Sequence, residues 1–435
     1  MVAGRRSLLL SLSGLIVACA GGPRARPVTP AEIPSLKAQA AQQPNNAQIR
    51  FRLAAALMSA GRCDTAVVVA NAGQMLAPSE ALGPMVIGGC QEKDGRYDLA
   101  FATYTDFANK YPSARGVAAV RALAQLALRT QATQTAKLAL QREASLTALA
   151  PEPSTVAVLP MTIAGDSSLQ PLSRGLAELL LTDLAMVRSL RMLERIQVGA
   201  LLDELKLSQS GRADPATAAR VGRLLRAERM VQGVASIQQN GPVRMSAAVV
   251  KGDGTVRTGA QVNGNFKQLL DLEKQLVFGL ATELGIQLTD AEQQRIRRQG
   301  PKNLAAFLAY SQGLEALDRG DYRSALTHFN AAVRSDPSWQ AAAQQQQAAA
   351  AAPVVQAGGG DVVTVVEAVK DVGAPQEPAA EGALKQGTVD VSSTVGDVTG
   401  QNPISSTVSN TTPESQGISS VVQASGVIRI IFRRP

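Results

Sequence analysis

The residue types that most often do chemistry are scarce in this sequence. His328 is the single histidine, so neither a nucleophilic triad nor a histidine-based metal site can be assembled around it. The glycine-rich run at residues 357–363 lacks the Lys-Ser/Thr pair of a phosphate-binding loop. No spacing in the sequence brings together the carboxylates of Asp183, Glu194 and Glu204. We therefore expect a non-enzymatic protein without cofactor or metal.

Cys19 is the one residue with a clear chemical prediction. Two arginines precede an apolar run at residues 8–17, which is shorter than the ~20 residues that a membrane-spanning helix needs. This pattern is typical of a secretory signal peptide, here residues 1–18. The quartet Ile-Val-Ala-Cys at 16–19 resembles the bacterial lipobox, in which the cysteine is acylated and the chain is cut before it. The alternative is an unlipidated signal peptide with a chance cysteine.

The residues after Cys19 bear on localisation. Ala20 is not the aspartate that retains lipoproteins in the inner membrane, so the resemblance implies a lipid anchor on the periplasmic side of the outer membrane. The stretch 19–34 is rich in Gly and Pro and is interpreted as a tether.

The composition indicates a chain of more than one domain. It has 435 residues, a formal net charge of +8 and only 3% aromatic residues. Its Lys and Arg residues are scattered along predicted helices without interleaved aromatics, so we expect no nucleic-acid partner.

Several residues recur at a spacing of 34, the period of tetratricopeptide repeats, and we predict a helical domain over 35–150 and a further helical hairpin over 291–340. The first copy has an alanine at position 70, where the family usually has a large aromatic residue. The matched positions are Gly61, Ala66, Pro78, Gly95, Tyr97, Ala100, Tyr104, Pro112, Gly313, Gly320, Tyr322, Ala325, Phe329, Ala332 and Pro337.

This resemblance implies that the helices bind proteins or peptides, although they could equally be purely structural. A lone repeat cannot bury its apolar face. The downstream copy must therefore dock on the first helical region or on the central domain.

Cys63 and Cys90 are the two cysteines left in the mature chain, and an exported compartment is oxidising. In the repeat arrangement they lie at neighbouring helix ends, which predicts a disulfide with a stabilisation of roughly 3.5 kcal/mol. Two buried thiols are the alternative.

The central region, residues 151–290, alternates strand and helix patterns in the order β-α-β-α-α-β-β-β-α. Asp214-Pro215 is typical of a helix start. Asn-Gly at 240–241 and Asp-Gly at 253–254 predict tight hairpins between the last three strands. The fold class is therefore α/β plus all-α: a mixed-sheet α/β sandwich flanked by helical hairpins.

Residues 154–288 resemble the periplasmic domain of the curli-secretion (CsgG-like) lipoprotein family, and are similar to the amino-terminal domain of TolB-type envelope proteins. The resemblance rests on a series of positions of which Glu194-Arg195 is the most telling, although that pair alone could be a surface ion pair worth at most ~1 kcal/mol. The positions that we single out are Pro160, Gly175, Glu194, Arg195, Gly222 and Gly233.

The resemblance implies envelope assembly or export. Curli-type pores insert long membrane-spanning hairpins, but here ordinary sheet strands are predicted to use all of residues 231–263. We expect a docking module that could form homo-oligomers.

The tail, residues 341–435, is low in complexity and predicted to be mostly disordered, with a helix possible at its start. Residues 427–432 form a β-prone segment that could add to a partner's sheet or complete the protein's own.

Together these patterns predict an outer-membrane lipoprotein that serves as a protein-protein adaptor through its helices. The alternatives are an oligomeric component of a curli-like secretion channel, and an envelope ligand-binding receptor or hydrolase.

Overall fold

A computed structural model describes residues 27–206, 214–358 and 362–369. The predicted signal peptide, Cys19 and the segment 427–432 lie outside the described residues. The predicted tether ends earlier than expected, because Val28 is already buried and the first helix begins at Ile33.

The amino-terminal region consists of helices that pair as antiparallel hairpins. Gly61 and Gly95 end the first helix of successive hairpins with φ angles of 74° and 73°, a left-handed conformation that glycine adopts without steric cost. The helices are α1 (Ile33–Gln42), α2 (Ala47–Ser59), α3 (Cys63–Leu76), α4 (Leu82–Lys93), α5 (Tyr97–Lys110), α6 (Val117–Gln141) and α7 (Glu143–Thr147).

The central region is an α/β domain with a mixed sheet, as predicted. Its elements are β1 (Glu152–Val158), β2 (Thr162–Gly165), α8 (Leu172–Leu184), β3 (Arg191–Met192), α9 (Arg195–Glu204), α10 (Pro215–Leu225), β4 (Ala227–Ile237), β5 (Pro242–Lys251), β6 (Val256–Asn265) and α11 (Leu269–Glu283).

The described sheet has six strands in the order β3-β1-β4-β5-β6, with β2 also paired to β4. Strands β1, β2 and β3 run parallel to their neighbours, whereas β4, β5 and β6 form antiparallel hairpins. The sequence did not predict β2. It forms because β4 is 11 residues long and extends beyond its pairing with β1.

Helices cover both faces of this sheet. Val156 and Val158 point to the face that packs against α8 and α11, while Ala157 and Leu159 point to the face that packs against α9 and α10. This alternation follows the period of two along a strand.

The chain then returns to helices. Gly320 ends the first helix of the downstream hairpin with a φ of 77°, like Gly61 and Gly95. The helices are α12 (Asp290–Arg298), α13 (Leu304–Asp318), α14 (Tyr322–Ser335), α15 (Gln340–Ala357) and α16 (Val362–Ala368).

The helix that the sequence allowed at the start of the tail forms as α15, whereas the disorder predicted from Pro353 is wrong for the end of α15 and for α16. Helix α15 packs between α6 and α14, and its buried alanines, such as Ala342 and Ala349, allow a close approach. Glutamines in this low-complexity stretch pair with α6: Gln345 accepts a hydrogen bond from Gln125 at 2.5 Å. Low complexity did not prevent folding here, because small residues on a helix can pack tightly against a neighbour.

Contact between α6 and α15 joins the two helical regions. The α/β domain is thus inserted between helices that touch one another. The downstream hairpin docks on both surfaces that the sequence allowed, since α13 also packs on α8.

Candidate functional site

The candidate site is a charged cluster where the α/β domain meets the helices. Short strand β3 ends at Met192. Glu194 then occupies the N-cap position of α9 without a side-chain capping hydrogen bond, and Arg195 is the first residue of that helix. This turn directs the Arg195 side chain towards the carboxyl end of α13, where Asp318 is the last helical residue.

Arg195 and Asp318 form a bidentate pair. The two terminal nitrogens of Arg195 donate to the two Asp318 carboxylate oxygens at 2.7 and 3.1 Å. The Arg195 Nε donates to Glu178 on α8 at 3.1 Å. Because the Arg195 side chain is only 9% exposed, these are partly desolvated charge-assisted hydrogen bonds.

Two further arginines converge on Asp318. The Nε of Arg174, on α8, donates to Asp318 Oδ2 at 2.7 Å, and Arg129, on α6, lies 3.7 Å from the other oxygen. Arg129 also donates to the backbone carbonyl of Leu317. One carboxylate therefore links four helices: α6, α8, α9 and α13.

Burial and the neighbouring charges shift the pKa values of two carboxyl groups in this cluster. Burial alone would raise the pKa of Asp318, but Arg195, Arg174 and Arg129 lower it below its usual value. Burial and the neighbouring Glu178 carboxylate raise the pKa of Glu194 to about 7, against the opposing charge of Arg195.

A cleft of about 420 Å³ opens beside this cluster. Its lining includes Arg129, Arg174, Arg195 and Asp318 from the cluster, together with Pro160. The cluster's arginines are paired with carboxylates, so the arrangement holds the four helices together.

The interpretation of Glu194-Arg195 as a surface ion pair is wrong. Arg195 is 8% exposed as a whole residue and bonds to Asp318, 123 residues later. Sequence reasoning singled out Arg195 but missed its partner, because no local pattern links the end of α13 to the start of α9.

Gly175 is what lets α8 and α13 approach each other. A Cβ placed on Gly175 would lie 1.9 Å from the Ser311 Oγ, so no larger residue fits without a shift. Ser311 is fully buried and its hydroxyl donates to the backbone carbonyl of Phe307. Gly175 and Arg195 therefore both contribute to the packing of the α/β domain on α13.

The other two predicted glycines pack inside the α/β domain. A Cβ on Gly222 of α10 would lie 2.9 Å from Met230 on β4. A Cβ on Gly233 of β4 would lie 2.7 Å from the end of Met161. These positions serve the fold of the domain and do not line the cleft.

The repeat positions assemble as paired helices. Ala66, Ala100 and Ala325 are fully buried in the second helix of their hairpins, and Ala332 is also buried. Tyr97 and Tyr322 are partly buried, whereas Pro78, Pro112 and Pro337 are exposed just after the second helix.

In the second and third hairpins, a glycine on the first helix packs closely against an aromatic ring on the second helix. A Cβ on Gly88 would lie 2.3 Å from the Tyr104 ring, and a Cβ on Gly313 would lie 2.5 Å from the Phe329 ring. Sequence reasoning named the rings and Gly313 but missed Gly88. In the first hairpin two buried alanines stand at the matching positions, Ala54 and Ala70.

The structure joins Cys63 to Cys90 by a disulfide, with Cα atoms 5.4 Å apart. Cys63 is the first residue of α3 and Cys90 lies in the last turn of α4. Free-thiol counting on the mature protein is still the test of this predicted bond.

Sequence reasoning missed a second polar cluster, where α8 meets α11. Asp183 and Glu273 are 0% and 1% exposed, and Lys274 contacts both, with its Nζ 3.4 Å from Glu273 Oε2. Burial raises the pKa of Glu273 to about 8, assisted by Asp183, and raises that of Asp183 to about 6 against the charge of Lys274. The sequence offered Asp183 as a carboxylate but not its partner, which lies 90 positions further on.

Other features of the described residues carry no site. His328 is partly exposed on α14. Within the described ranges, no three His, Cys, Asp or Glu side chains are grouped to hold a metal ion. No helix of that part of the chain is both long and apolar enough to cross a bilayer.

Comparison with known proteins supports the resemblance predicted for the central region. Residues 124–246 match the family model described as "Curli production assembly/transport component CsgG". The match begins within α6 and ends within β5, so it includes Arg129, Arg174 and Arg195 but stops before Asp318. No curated protein matches the chain. The match covers less than half of the chain, and the similarity to TolB-type proteins stays a prediction. Over this segment the chain is similar to the CsgG family.

Proposed function

We propose that this chain is a lipid-anchored envelope protein that acts as an adaptor in assembly or export. In this proposal the lipid on Cys19 holds the chain on the outer membrane, and the CsgG-like domain lies on the periplasmic side of that membrane. The helical hairpins bind protein partners. The matched family is described as an assembly and transport component, which supports the general role.

The observation that carries this proposal is the shared junction. Arg195 of the CsgG-like domain is bonded to Asp318 of the downstream hairpin, and both contact groups on α6 or α8. Because the hairpins are packed onto the domain through buried groups, a partner bound to the helices would be held at a defined position relative to it.

The outer helices of the amino-terminal hairpins offer a surface for such a partner. Val68 and Met75, on α3, are 68% and 79% exposed, and Leu99, on α5, is 41% exposed. Val68 and Met75 are seven residues apart and therefore lie on one face of α3. Exposed apolar side chains grouped on one surface are typical of protein-binding sites.

The test is crosslinking in intact cells. A photoreactive residue replaces Met75 in the full chain, and a matched control places it at Val256, an exposed apolar position on β6. We expect a discrete set of crosslinked envelope proteins at Met75 and a weaker or different set at Val256. Identical products at both positions would contradict a specific binding face on α3.

The secretion-channel alternative makes a different prediction. A channel component would form ring-shaped particles and give ion conductance when the purified chain is added to lipid bilayers. Monomers that give no conductance would eliminate the channel alternative. The receptor or hydrolase alternative requires a polar cleft with converging acids. The lining of this cleft holds two acids, Asp203 and Asp318, and Asp318 is paired with arginines.

A further inference from the structure

The last described helix occupies the face that the repeats share. Helix α16 packs against α2 and α4, the first helices of the first two hairpins. Its Val366 lies beside the start of α6, where a Cβ on Gly116 would be 3.6 Å from a Val366 methyl group. The inner face of the amino-terminal helices is thus covered by a segment from the other end of the described chain.

The covering segment has a simple pattern. Its buried residues are Val362, Val365, Val366 and Val369, at 6%, 4%, 9% and 0% exposure, and they join the same hydrophobic cluster as Phe51 and Met85. The spacing i, i+3, i+4, i+7 places these valines on one face of a helix. Ala368, in the last turn of the same helix, is exposed.

The way this segment is attached distinguishes it from the other helices. Three consecutive glycines separate α15 from α16 in the sequence, and a Cβ on the first of them, Gly358, would lie 2.4 Å from a Val365 methyl group. Helix α16 has seven residues, and a helix of that length is not stable in isolation. Its helical conformation therefore depends on the surface that it covers.

We infer that the face formed by α2 and α4 is a binding groove for a short amphipathic helix with aliphatic residues at i, i+3, i+4 and i+7, and that residues 362–369 are an internal ligand which such a partner helix displaces. This inference rests on the proposed adaptor function and names the class of partner. It follows the general mode in which an apolar helix face enters a hydrophobic groove. Residues 362–369 occupy the groove until a partner helix displaces them.

The test uses the purified full chain and a fluorescent peptide with the sequence of residues 361–372. In the unmodified chain the peptide must compete with a tethered ligand, whose effective concentration is of millimolar order for a short linker. The variant Val365→Asp/Val366→Asp places charges on the buried face and should release the segment. We expect it to bind the peptide at least about tenfold more tightly than the unmodified chain, since the competitor is removed.

The matched control is Ala368→Asp, which adds a charge to the same helix at an exposed position. It should bind the peptide as weakly as the unmodified chain. If the double variant fails to fold by circular dichroism, Val366→Ala replaces it and should give a smaller rise in affinity.

Equal peptide affinity in the released and unmodified chains would overturn the inference and make α16 an ordinary structural helix. Such a result would not contradict the adaptor function, because that proposal is tested separately by crosslinking at Met75 on α3.

Discussion

The Arg195 guanidinium and the Asp318 carboxylate form two parallel hydrogen bonds, at 2.7 and 3.1 Å, between residues 123 positions apart. This pair joins the first residue of α9 to the last residue of α13, and so joins the CsgG-like domain to the downstream hairpin. Removing one partner of a buried pair leaves the other charge uncompensated, which costs more than the pair itself contributes.

Asp318→Asn should therefore destabilise the protein by about 2–4 kcal/mol, because three arginines lose their common carboxylate. Urea unfolding measures the change. The matched control is Arg96→Ala, which breaks the exposed pair with Asp94 at 3.2 Å and should cost less than about 1 kcal/mol. Because the pKa of Asp318 is lowered in the folded state, its contribution is present above pH ~4 and is lost as the pH falls through the folded value. Equal effects of the two substitutions would contradict the central place of Asp318.

Glu273→Gln should stabilise the protein more at pH 8 than at pH 5. The pKa of Glu273 is raised to about 8, so the folded state holds a proton that the unfolded state releases above pH ~4.3. Stability from this group is therefore complete at low pH and is lost as the pH rises towards 8. Melting temperatures of the variant and the unmodified chain at both pH values measure the effect. A pH-independent difference between them would be incompatible with the raised pKa.

Gly313→Ala should destabilise the downstream hairpin by about 1–3 kcal/mol, since the added methyl group overlaps the Phe329 ring. The control is Gly199→Ala on α9, where a Cβ meets no atom within 4 Å. There alanine should stabilise the helix by about 0.5–1 kcal/mol, because glycine weakens helix interiors. Thermal unfolding should therefore show a lower melting temperature for Gly313→Ala and a higher one for Gly199→Ala. A shift of the same sign in both variants would contradict the close packing at Gly313.

The mature chain should contain no free thiol under non-reducing conditions, because the proposed function has Cys19 acylated and the structure bonds Cys63 to Cys90. Thiol titration of the denatured protein measures this. Cys63→Ser should expose one reactive thiol and lower stability by about 2–4 kcal/mol. Two reactive thiols in the unmodified protein would support the alternative of buried, unpaired cysteines.

Cys19→Ala should abolish labelling by radioactive palmitate and release the protein from the membrane fraction, since multiple acyl chains hold a protein firmly on a bilayer. Mass spectrometry of the amino-terminal peptide identifies the modification. An intact leader, or an unmodified Cys19 on a protein in the soluble fraction, would refute both the anchor and the proposed location.

The sequence by itself determined the local elements, because their signals lie within a few residues of one another. The 34-residue spacing located the hairpins whose turns use Gly61 and Gly95, and the same motif residues located the downstream hairpin that turns at Gly320. Asp214 caps α10 through hydrogen bonds to two backbone amides, as its position before Pro215 predicted. The hairpin turns after β4 and β5 were equally predictable, since they depend on local backbone preferences.

Only the tertiary structure decided what these elements bring together. Arg195 meets Asp318, Asp183 meets Glu273, and α16 covers α2 and α4 across separations that carry no local pattern. The alanine- and glutamine-rich stretch of α15 favours a helix by itself, but nothing local shows that α6 and α14 provide the surfaces that bury it. Long-range contacts of this kind depend on the shape of the assembled core, which no short window of sequence contains.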